Sequence, residues 1–186
     1  RMIDSMPEPK DLPPGRLLVT GATGFLGGVL VRRLLANGMA AERLRCVVRD
    51  VRRAELGGLP AASLVEGDLG SPDSSPQLHT ALEGVSIVVH LAGSLKAYDR
   101  RGFDDVNVHG TRRLVEAVRQ VASAAHFVHV SSLAAAGPSV DGAGSSEPAD
   151  RCRTVSFYGE SKRQGELAVI GSGLAFTVLR PPVVYG

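Results

Sequence analysis

The sequence predicts an α/β domain in which a doubly wound, parallel sheet of six strands is covered by helices on both faces. Three observations predict this fold. Short apolar runs alternate with helical segments, several of those runs are apolar throughout as in strands buried on both faces, and a glycine-rich turn separates the first run from the first helix. The expected strands are 16–20, 44–49, 63–65, 86–91, 127–130 and 174–179.

Helical segments lie between these apolar runs. Leu26, Leu30 and Leu34 recur at the four-residue spacing of one helix face, and the dipeptide 37–38, Asn-Gly, ends that helix. Further helices are expected over 78–82, 101–122 and 157–170. The longest of them carries a set of apolar residues broadly on one face: Val106, Leu114, Val118 and Val121.

Length and composition restrict the number of domains, the chemistry of the cysteines and the kinds of partner. The chain has 186 residues, of which 44% are hydrophobic and 22% charged, so one globular domain can bury a core without a disulfide or metal. Neither Cys46 nor Cys152 has metal-ligand or disulfide spacing, so we expect no metal site and a reducing compartment. A net charge of +2 and 4% aromatic residues argue against a nucleic-acid partner. Without an apolar run of about 18 residues, no membrane partner and a cytoplasmic location are expected.

The first 15 residues contain four prolines and are expected to form a leader or linker that is disordered or loosely docked. Residues 16–186 then form the predicted nucleotide-binding domain. The chain stops directly after an apolar strand and begins with Arg1, which suggests a fragment of a longer protein.

The turn after the first strand reads Thr-Gly-Ala-Thr-Gly-Phe-Leu-Gly over 20–27, a GxxGxxG pattern where Rossmann-like sheets bind a dinucleotide. Gly21 permits the tight turn, Gly24 lets the backbone approach a pyrophosphate, and Gly27 lets the helix pack on the strand. The phosphates would meet the free amides of the helix. The alternative is a glycine-rich turn without a ligand. A triphosphate P-loop is disfavoured because its lysine pattern is missing.

Arg49 comes at the end of the second strand, where NAD-binding sheets usually carry an acid that holds the ribose 2′-hydroxyl. A guanidinium suits a 2′-phosphate, so NADP(H) is favoured over NAD(H), with help from Arg52 or Arg53. In the alternative, Arg49 is solvated and Asp50 binds the ribose.

Tyr158 and Lys162 form a YxxxK pair, which a helix places on one face, one turn apart. The lysine cation favours the phenolate, which makes the tyrosine a usable general acid or base. Ser131 and Ser132 follow the fifth strand at the sheet edge where ligands collect, and a hydroxyl there could polarise a substrate carbonyl.

These motifs, in this order, resemble the extended short-chain dehydrogenase/reductase family over about 16–186. Further matches are Gly-Asp-Leu at 67–69, His-Leu-Ala-Gly at 90–93, Asn-Val-His-Gly-Thr at 107–111 and Arg-Pro-Pro-Val-Val-Tyr-Gly at 180–186. The resemblance implies catalytic roles for Ser132, with Ser131 as the second choice, for Tyr158 and for Lys162, and a helix- and water-ordering role for Asn107. It implies that the cofactor contacts Gly21, Thr23, Gly24, Phe25, Leu26, Gly27, Arg49, Asp68, Leu69, Leu91, Ala92, Gly93, Tyr158, Lys162, Pro181, Val183 and Val184.

Members of the family act as dehydrogenases or reductases, as nucleotide-sugar epimerases or as dehydratases. The run 133–135, Leu-Ala-Ala, stands where family dehydratases carry an Asp-Glu pair, so dehydration is not expected. The neighbourhood of Ser132 is more similar to 3β-hydroxysteroid dehydrogenase and flavonol reductase relatives, which act on apolar alcohols or ketones. Two alternatives stay open: an epimerase, and a non-catalytic NADP-binding sensor. Family members continue into a helical substrate region that is missing after residue 186.

The family resemblance also implies a possible homodimer through helix 101–122 and the Tyr158 helix. Leu114, Val115 and Val118 are candidate contacts, and the alternative is that they face the protein's own sheet. His90 and His129, which lie in apolar strands, are expected to be packed core residues. A set of arginines on the long helix is expected to be a solvated face: Arg100, Arg101, Arg112, Arg113 and Arg119.

Overall fold

A computed structural model describes residues 12–138 and 153–185 of the chain. Six strands form one parallel sheet in the order β3-β2-β1-β4-β5-β6. The predicted fold class is confirmed. The strands are β1 Arg16–Thr20, β2 Leu44–Val48, β3 Leu64–Glu66, β4 Val85–His90, β5 His126–Val130 and β6 Phe176–Leu179.

The helices are α1 Phe25–Ala36, α2 Val51–Leu56, α3 Ser75–Leu82, α4 Arg100–Asp104, α5 Thr111–Val121 and α6 Phe157–Ile170. The bounds of α6 are those predicted, and α1 ends at the C-cap Asn37 as the sequence indicates. The short helix α2 is not among the predicted elements. It begins at Asp50, whose carboxylate accepts a hydrogen bond from the Arg53 amide, as an N-cap does.

The predicted long helix 101–122 is wrong in its interior. A π-helical segment, Asp105–Gly110, separates α4 from α5. The buried residues of this segment are Asn107, Val108 and Gly110, so a functional motif of the sequence coincides with the irregular turn. Such single π-turns inside helices are frequent at functional sites.

Alternate residues of β1 supply two separate cores, one on each face of the sheet. Leu18 packs with α3 and α5, whereas Leu17 and Val19 pack with α1 and α2. Leu114, Val115 and Val118 lie in the first core and are no more than 6% exposed, so the alternative orientation toward the protein's own sheet is correct. They are therefore not available for contact with a second copy, and pairing through other side chains of these helices stays a prediction.

Two further apolar predictions need correction. Leu30 and Leu34 of α1 pack against the second core, but Leu26 is exposed and the most buried positions of α1 are Gly27, Gly28 and Val31. The helix is therefore rotated toward its glycines, and Gly27 lets it approach the turn after β1 closely. On α5, Val121 is 38% exposed and does not continue the core face.

The end of the expected leader lies against the domain. Leu12 packs on the second core, and the Arg43 guanidinium donates hydrogen bonds to the carbonyls of Pro13 and Gly15. Residues 1–11 lie outside the described part of the chain. Among the helices of 12–138 and 153–185, none has the length and apolar character needed to cross a membrane.

Candidate functional site

A cleft of about 630 Å³ opens at the carboxyl ends of β1, β2, β4 and β5. The strand order reverses between β1 and β4, and open α/β sheets bind ligands at such switch points. All seventeen residues that the sequence analysis assigns to the cofactor line this one cleft, and Ser132 lines it too. Their proximity is thus observed, while their roles stay predictions.

The glycine turn at the end of β1 is shaped by steric contacts. Gly21 has φ +72°, and a Cβ there would lie 2.7 Å from the amide nitrogen of Ala92. A Cβ on Gly27 would collide with the Gly21 carbonyl, so α1 packs on the turn without side chains between them. Gly24 differs, because its Cβ position meets only the Gly21 oxygen within 4 Å. The space at Gly24 is therefore open to a ligand.

The N-terminus of α1 also suits an anion. Its N-cap is Gly24, no side chain caps it, and its first turn contains no acidic residue. By contrast, α2 and α6 are capped by the side chains of Asp50 and Ser156. The first amides of α1 and the positive end of its dipole are thus left for a phosphate group, and the turn fits the pyrophosphate of a dinucleotide.

At the end of β2, Arg49 and Asp50 play different structural parts. Arg49 is exposed and lines the cleft. The Asp50 Oδ1 accepts the Arg53 amide at 2.8 Å and so holds the start of α2. Arg49 therefore borders the ligand space, whereas one carboxylate oxygen of Asp50 is engaged by backbone.

The segment after β3 is held by hydrogen bonds on both sides. Asp68 Oδ1 accepts the Gly70 amide at 2.9 Å. The Leu69 carbonyl accepts the Arg113 guanidinium, with Nε at 2.9 Å. The expectation that Arg113 is solvated is wrong, because this half-buried side chain ties α5 to the cleft wall at Leu69. Arg100 is exposed, as expected, and its guanidinium carbon lies 5.1 Å from the Phe157 ring centre.

Lys162 is the buried cation of the site. It is 5% exposed, and its Nζ donates a hydrogen bond to the Val130 carbonyl at 2.9 Å. Burial lowers its pKa to about 8, and the Glu166 carboxylate opposes that shift. Glu166 in turn is fully buried and forms a two-pronged ion pair with Arg180, at 2.8 and 2.6 Å. The 181–184 wall of the cleft is thereby anchored to α6.

Tyr158, Ser131 and Ser132 line the same cleft as Lys162. Ser132 is half-buried, and its Oγ accepts the Ala134 amide at 3.2 Å. Ser131 is 4% exposed, and its Oγ has no hydrogen-bond partner within the described residues. Both serines thus retain the capacity to bind a polar ligand group, and the geometry leaves both candidates in place.

Asn107 does not line the cleft but braces it from behind. Its Oδ1 accepts the Ser94 amide at 2.7 Å, and its Nδ2 donates to the Ser94 carbonyl and to Ser161 Oγ at 3.1 and 2.9 Å. Ser94 lies in the cleft wall, and Ser161 is the residue before Lys162. The geometry fits the predicted ordering role of Asn107.

His90 and His129 are fully buried in β4 and β5, as expected of core residues. Burial lowers the pKa of His90 to about 3 and that of His129 well below its usual range, so both rings are neutral at physiological pH. Their rings stack at 5.3 Å.

Several residues of the cleft lining are not among the cofactor contacts that the sequence predicts. Most of them adjoin a recognised motif, which is a signal that could have found them, whereas Leu95 lies outside the motifs. The group comprises Val47, Val48, Gly67, Ser94, Leu95, Val106, Val130, Ser131 and Pro182.

Comparisons with known proteins point to one group. Residues 17–186 match the model of the NAD dependent epimerase/dehydratase family. The chain is 38% identical over 172 residues to the ceramide reductase of Caulobacter vibrioides, covering 92% of this chain and 47% of that protein. It is 35% identical over 175 residues to sterol demethylase protein B of Methylococcus capsulatus, covering 91% and 51%. It superposes on MoeE5 in complex with UDP-glucose and NAD with a TM-score of 0.70 and 32% identity, covering 89% and 54%. The chain thus spans about half the length of these relatives.

Proposed function

Because the chain belongs to the NAD-dependent epimerase/dehydratase family, we propose that it binds a nicotinamide dinucleotide in the cleft and serves an oxidoreductase. In this proposal a hydride passes between the nicotinamide and a hydroxyl or ketone group of a small molecule. One observation carries the proposal: the glycine turn and the group Ser132, Tyr158 and Lys162 line the same cleft.

The proposed chemistry assigns each side chain a task. When bound, the reduced cofactor supplies the hydride that goes to the carbonyl carbon of a ketone. The Tyr158 hydroxyl donates its proton to the carbonyl oxygen, which yields an alcohol, and the reverse direction returns that proton. Ser132 donates a hydrogen bond to the same oxygen. Lys162, whose pKa is lowered to about 8 by burial, lines the same cleft as Tyr158 and holds the nicotinamide ribose.

We propose NADP(H) as the preferred cofactor. The exposed Arg49 in the cleft lining supports this preference, since a guanidinium pairs well with a 2′-phosphate. The position of Asp50 supports it as well, because Asp50 caps α2 and is not among the residues that line the cleft.

The proposed substrate is an apolar alcohol or ketone. Two relatives above 30% identity have names that refer to a ceramide and to a sterol, and both of these molecules are lipids. A second candidate is a nucleotide sugar, supported by the likeness to MoeE5 in complex with UDP-glucose. These candidates share the hydride transfer and differ in the polarity of the substrate.

Cofactor binding tests the proposal first. Thermal unfolding of the chain is followed with NADPH and with NADH, since a ligand at 100 times its Kd adds about 2.7 kcal/mol of stability. We expect stronger stabilisation by NADPH, and Arg49→Ala should remove the preference while Arg33→Ala, an exposed arginine on α1, should retain it. A preference for NADH would assign the ribose to Asp50, and no shift with either dinucleotide would contradict the proposal.

Turnover tests the chemistry. Oxidation of NADPH is measured with a long-chain keto lipid, a sterol ketone and a UDP-sugar, in the whole protein. Tyr158→Phe should lower kcat by at least about 100-fold, with NADPH affinity retained, because a general acid contributes on the order of 10²–10⁴. Tyr98→Phe, an exposed tyrosine outside the cleft lining, is the matched control. Loss of less than about tenfold in Tyr158→Phe would contradict the proton-transfer role. Tight NADPH binding without turnover of any substrate would favour the sensor.

A further inference from the structure

A buried chain of polar side chains crosses the domain between the sheet and the helices. Thr20 at the end of β1, His90 at the end of β4 and Thr111 at the start of α5 are each no more than 1% exposed. The His90 ring lies between the two hydroxyls, with Nδ1 at 2.7 Å from Thr20 Oγ1 and Nε2 at 2.9 Å from Thr111 Oγ1. None of the three lines the cleft.

The hydrogen bonds fix the direction of every proton in this chain. The single hydroxyl proton of Thr111 is donated to the Asn107 carbonyl at 2.8 Å. Toward His90, Thr111 Oγ1 must therefore accept, so Nε2 carries the ring proton. The bare Nδ1 then accepts the hydroxyl proton of Thr20, whose oxygen accepts the Ala92 amide at 3.3 Å. Only the Nε2-protonated tautomer therefore gives both nitrogens of the neutral ring a hydrogen-bond partner.

Both ends of this chain reach the candidate site. Thr20 precedes Gly21, and its partner Ala92 lines the cleft. At the other end the Asn107 carbonyl belongs to the π-helical segment, and the Asn107 side chain holds Ser94 and Ser161. The chain of bonds therefore joins the glycine turn to the helix that carries Lys162.

We propose that His90, as the Nε2-protonated neutral tautomer, is a positioning residue that sets the glycine turn and the Asn107–Ser161 contact relative to one another. The inference rests on the proposed dinucleotide binding for its functional consequence. The proposal predicts that breaking the hydrogen-bond chain at Thr111, which lies outside the cleft, weakens cofactor binding inside the cleft. A ring that only fills space would not require this tautomer.

The tautomer is measured directly by ¹⁵N NMR of the histidine rings, with His90 assigned from the signal lost in His90→Asn. We expect proton attachment at Nε2 and no titration over about pH 5 to 8, where exposed histidines titrate. Attachment at Nδ1, or a charged ring, would overturn the proposal. This measurement needs no cofactor, and the tautomer itself is determined in the parent protein.

Hydroxyl removal tests the coupling. Thr111→Val should raise the equilibrium constant for unfolding by about 5- to 150-fold, because the buried His90 Nε2–H loses its acceptor. It should also weaken NADPH binding by about tenfold. Thr111→Ser restores the hydroxyl and should return both values to within about threefold of the parent's. Thr80→Val, at an exposed threonine of α3, is the matched control and should change neither.

A double-mutant cycle of Thr20→Val and Thr111→Val completes the test. Substitutions within one hydrogen-bond network have non-additive effects. We therefore expect the effect of the double substitution on the equilibrium constant for unfolding to differ at least about twofold from the product of the two single effects. Additive effects, or a Thr111→Val chain that binds NADPH as the parent does, would overturn the positioning role. Failure of the parent chain to bind any dinucleotide would contradict the proposed function instead, and the tautomer and the unfolding cycle would still decide on the hydrogen-bond chain itself.

Discussion

Replacing Gly24 by alanine should separate ligand binding from folding. Gly24 has φ −81° and ψ 174°, which an alanine adopts without strain, and its added Cβ would meet only the Gly21 carbonyl, at 3.2 Å. Alanine is a poorer N-cap than glycine, so we expect the free energy of unfolding to fall by no more than about 1 kcal/mol. The methyl group would, however, occupy the open side of the turn.

The expected loss of affinity follows from the α1 amides. Within residues 12–138 and 153–185 no side chain caps these amides, so the phosphate is the partner left to them in the proposed complex. A hydrogen bond to a charged group contributes about 1.5–3 kcal/mol, and the methyl group should cost at least one such bond. We therefore expect the Kd for NADPH to rise by about ten- to a hundredfold in Gly24→Ala.

Gly28→Ala is the matched control in the same helix. Its Cβ would meet the Arg32 Nη1 at 3.1 Å, the movable end of an exposed side chain, and the Ala22 carbonyl at 3.5 Å. Alanine in a helix interior is better than glycine by about 0.5–1 kcal/mol, so Gly28→Ala should raise stability and leave the NADPH Kd unchanged.

Titration calorimetry suits these measurements because the chain contains no tryptophan to report binding by fluorescence. Stability is obtained from urea unfolding of the same samples. Gly24→Ala with the parent's NADPH affinity would refute the reasoning, since the pyrophosphate would then not lie on this turn. Equal weakening in Gly28→Ala would refute it too, because the effect would then belong to the helix as a whole.

Three further predictions concern buried groups. Burial lowers the pKa of Lys162 from 10.5 to about 8, so the unfolded chain holds the extra proton between those values. The free energy of unfolding should therefore rise with pH through that window, by about 3 kcal/mol, and Lys162→Met should abolish the rise in urea titrations at each pH. Glu166→Gln removes the carboxylate from Arg180, and denaturant unfolding should show a loss of a few kcal/mol, whereas equal stability would contradict the importance of that ion pair. Cys46 is buried with its pKa raised to about 11, so in a Cys152→Ser chain it should react with maleimide only as fast as the protein unfolds; rapid labelling of the folded chain would show that β2 is accessible.

The sequence predicted the fold well because apolar periodicity and backbone chemistry are local signals. The ends of α6 follow from Ser156, which caps its first turn, and from Gly171 at its C-terminus. The short helix α2 has no apolar stripe, since Ala54 is its one buried residue, and so periodicity could not reveal it. The local signal for this helix is Asp50, a residue type that is favoured at N-caps and that directly precedes it.

The orientation of side chains could be predicted less well than their proximity. The motifs indicated which residues meet at the switch point, because the carboxyl ends of parallel strands share one edge. The orientation of Arg113 could not be predicted in this way. Its helical position suggests a solvated arginine, but its guanidinium donates a hydrogen bond to the Leu69 carbonyl. That contact depends on the spacing between α5 and the loop after β3, which is a tertiary distance with no local signature.

The π-helical segment Asp105–Gly110 combines a local irregularity of the helix with tertiary contacts of the Asn107 side chain. Within this segment the Asn107 carbonyl accepts the Thr111 hydroxyl, and the Asn107 side chain binds Ser94 and Ser161. An irregular turn is costly within a helix, and buried hydrogen bonds can offset that cost only if each donor finds an acceptor. Thr111→Val should therefore affect more than one bond: it removes the hydroxyl that accepts the His90 Nε2 proton and that donates to the Asn107 carbonyl, and so it should weaken the support of Lys162 from behind the cleft.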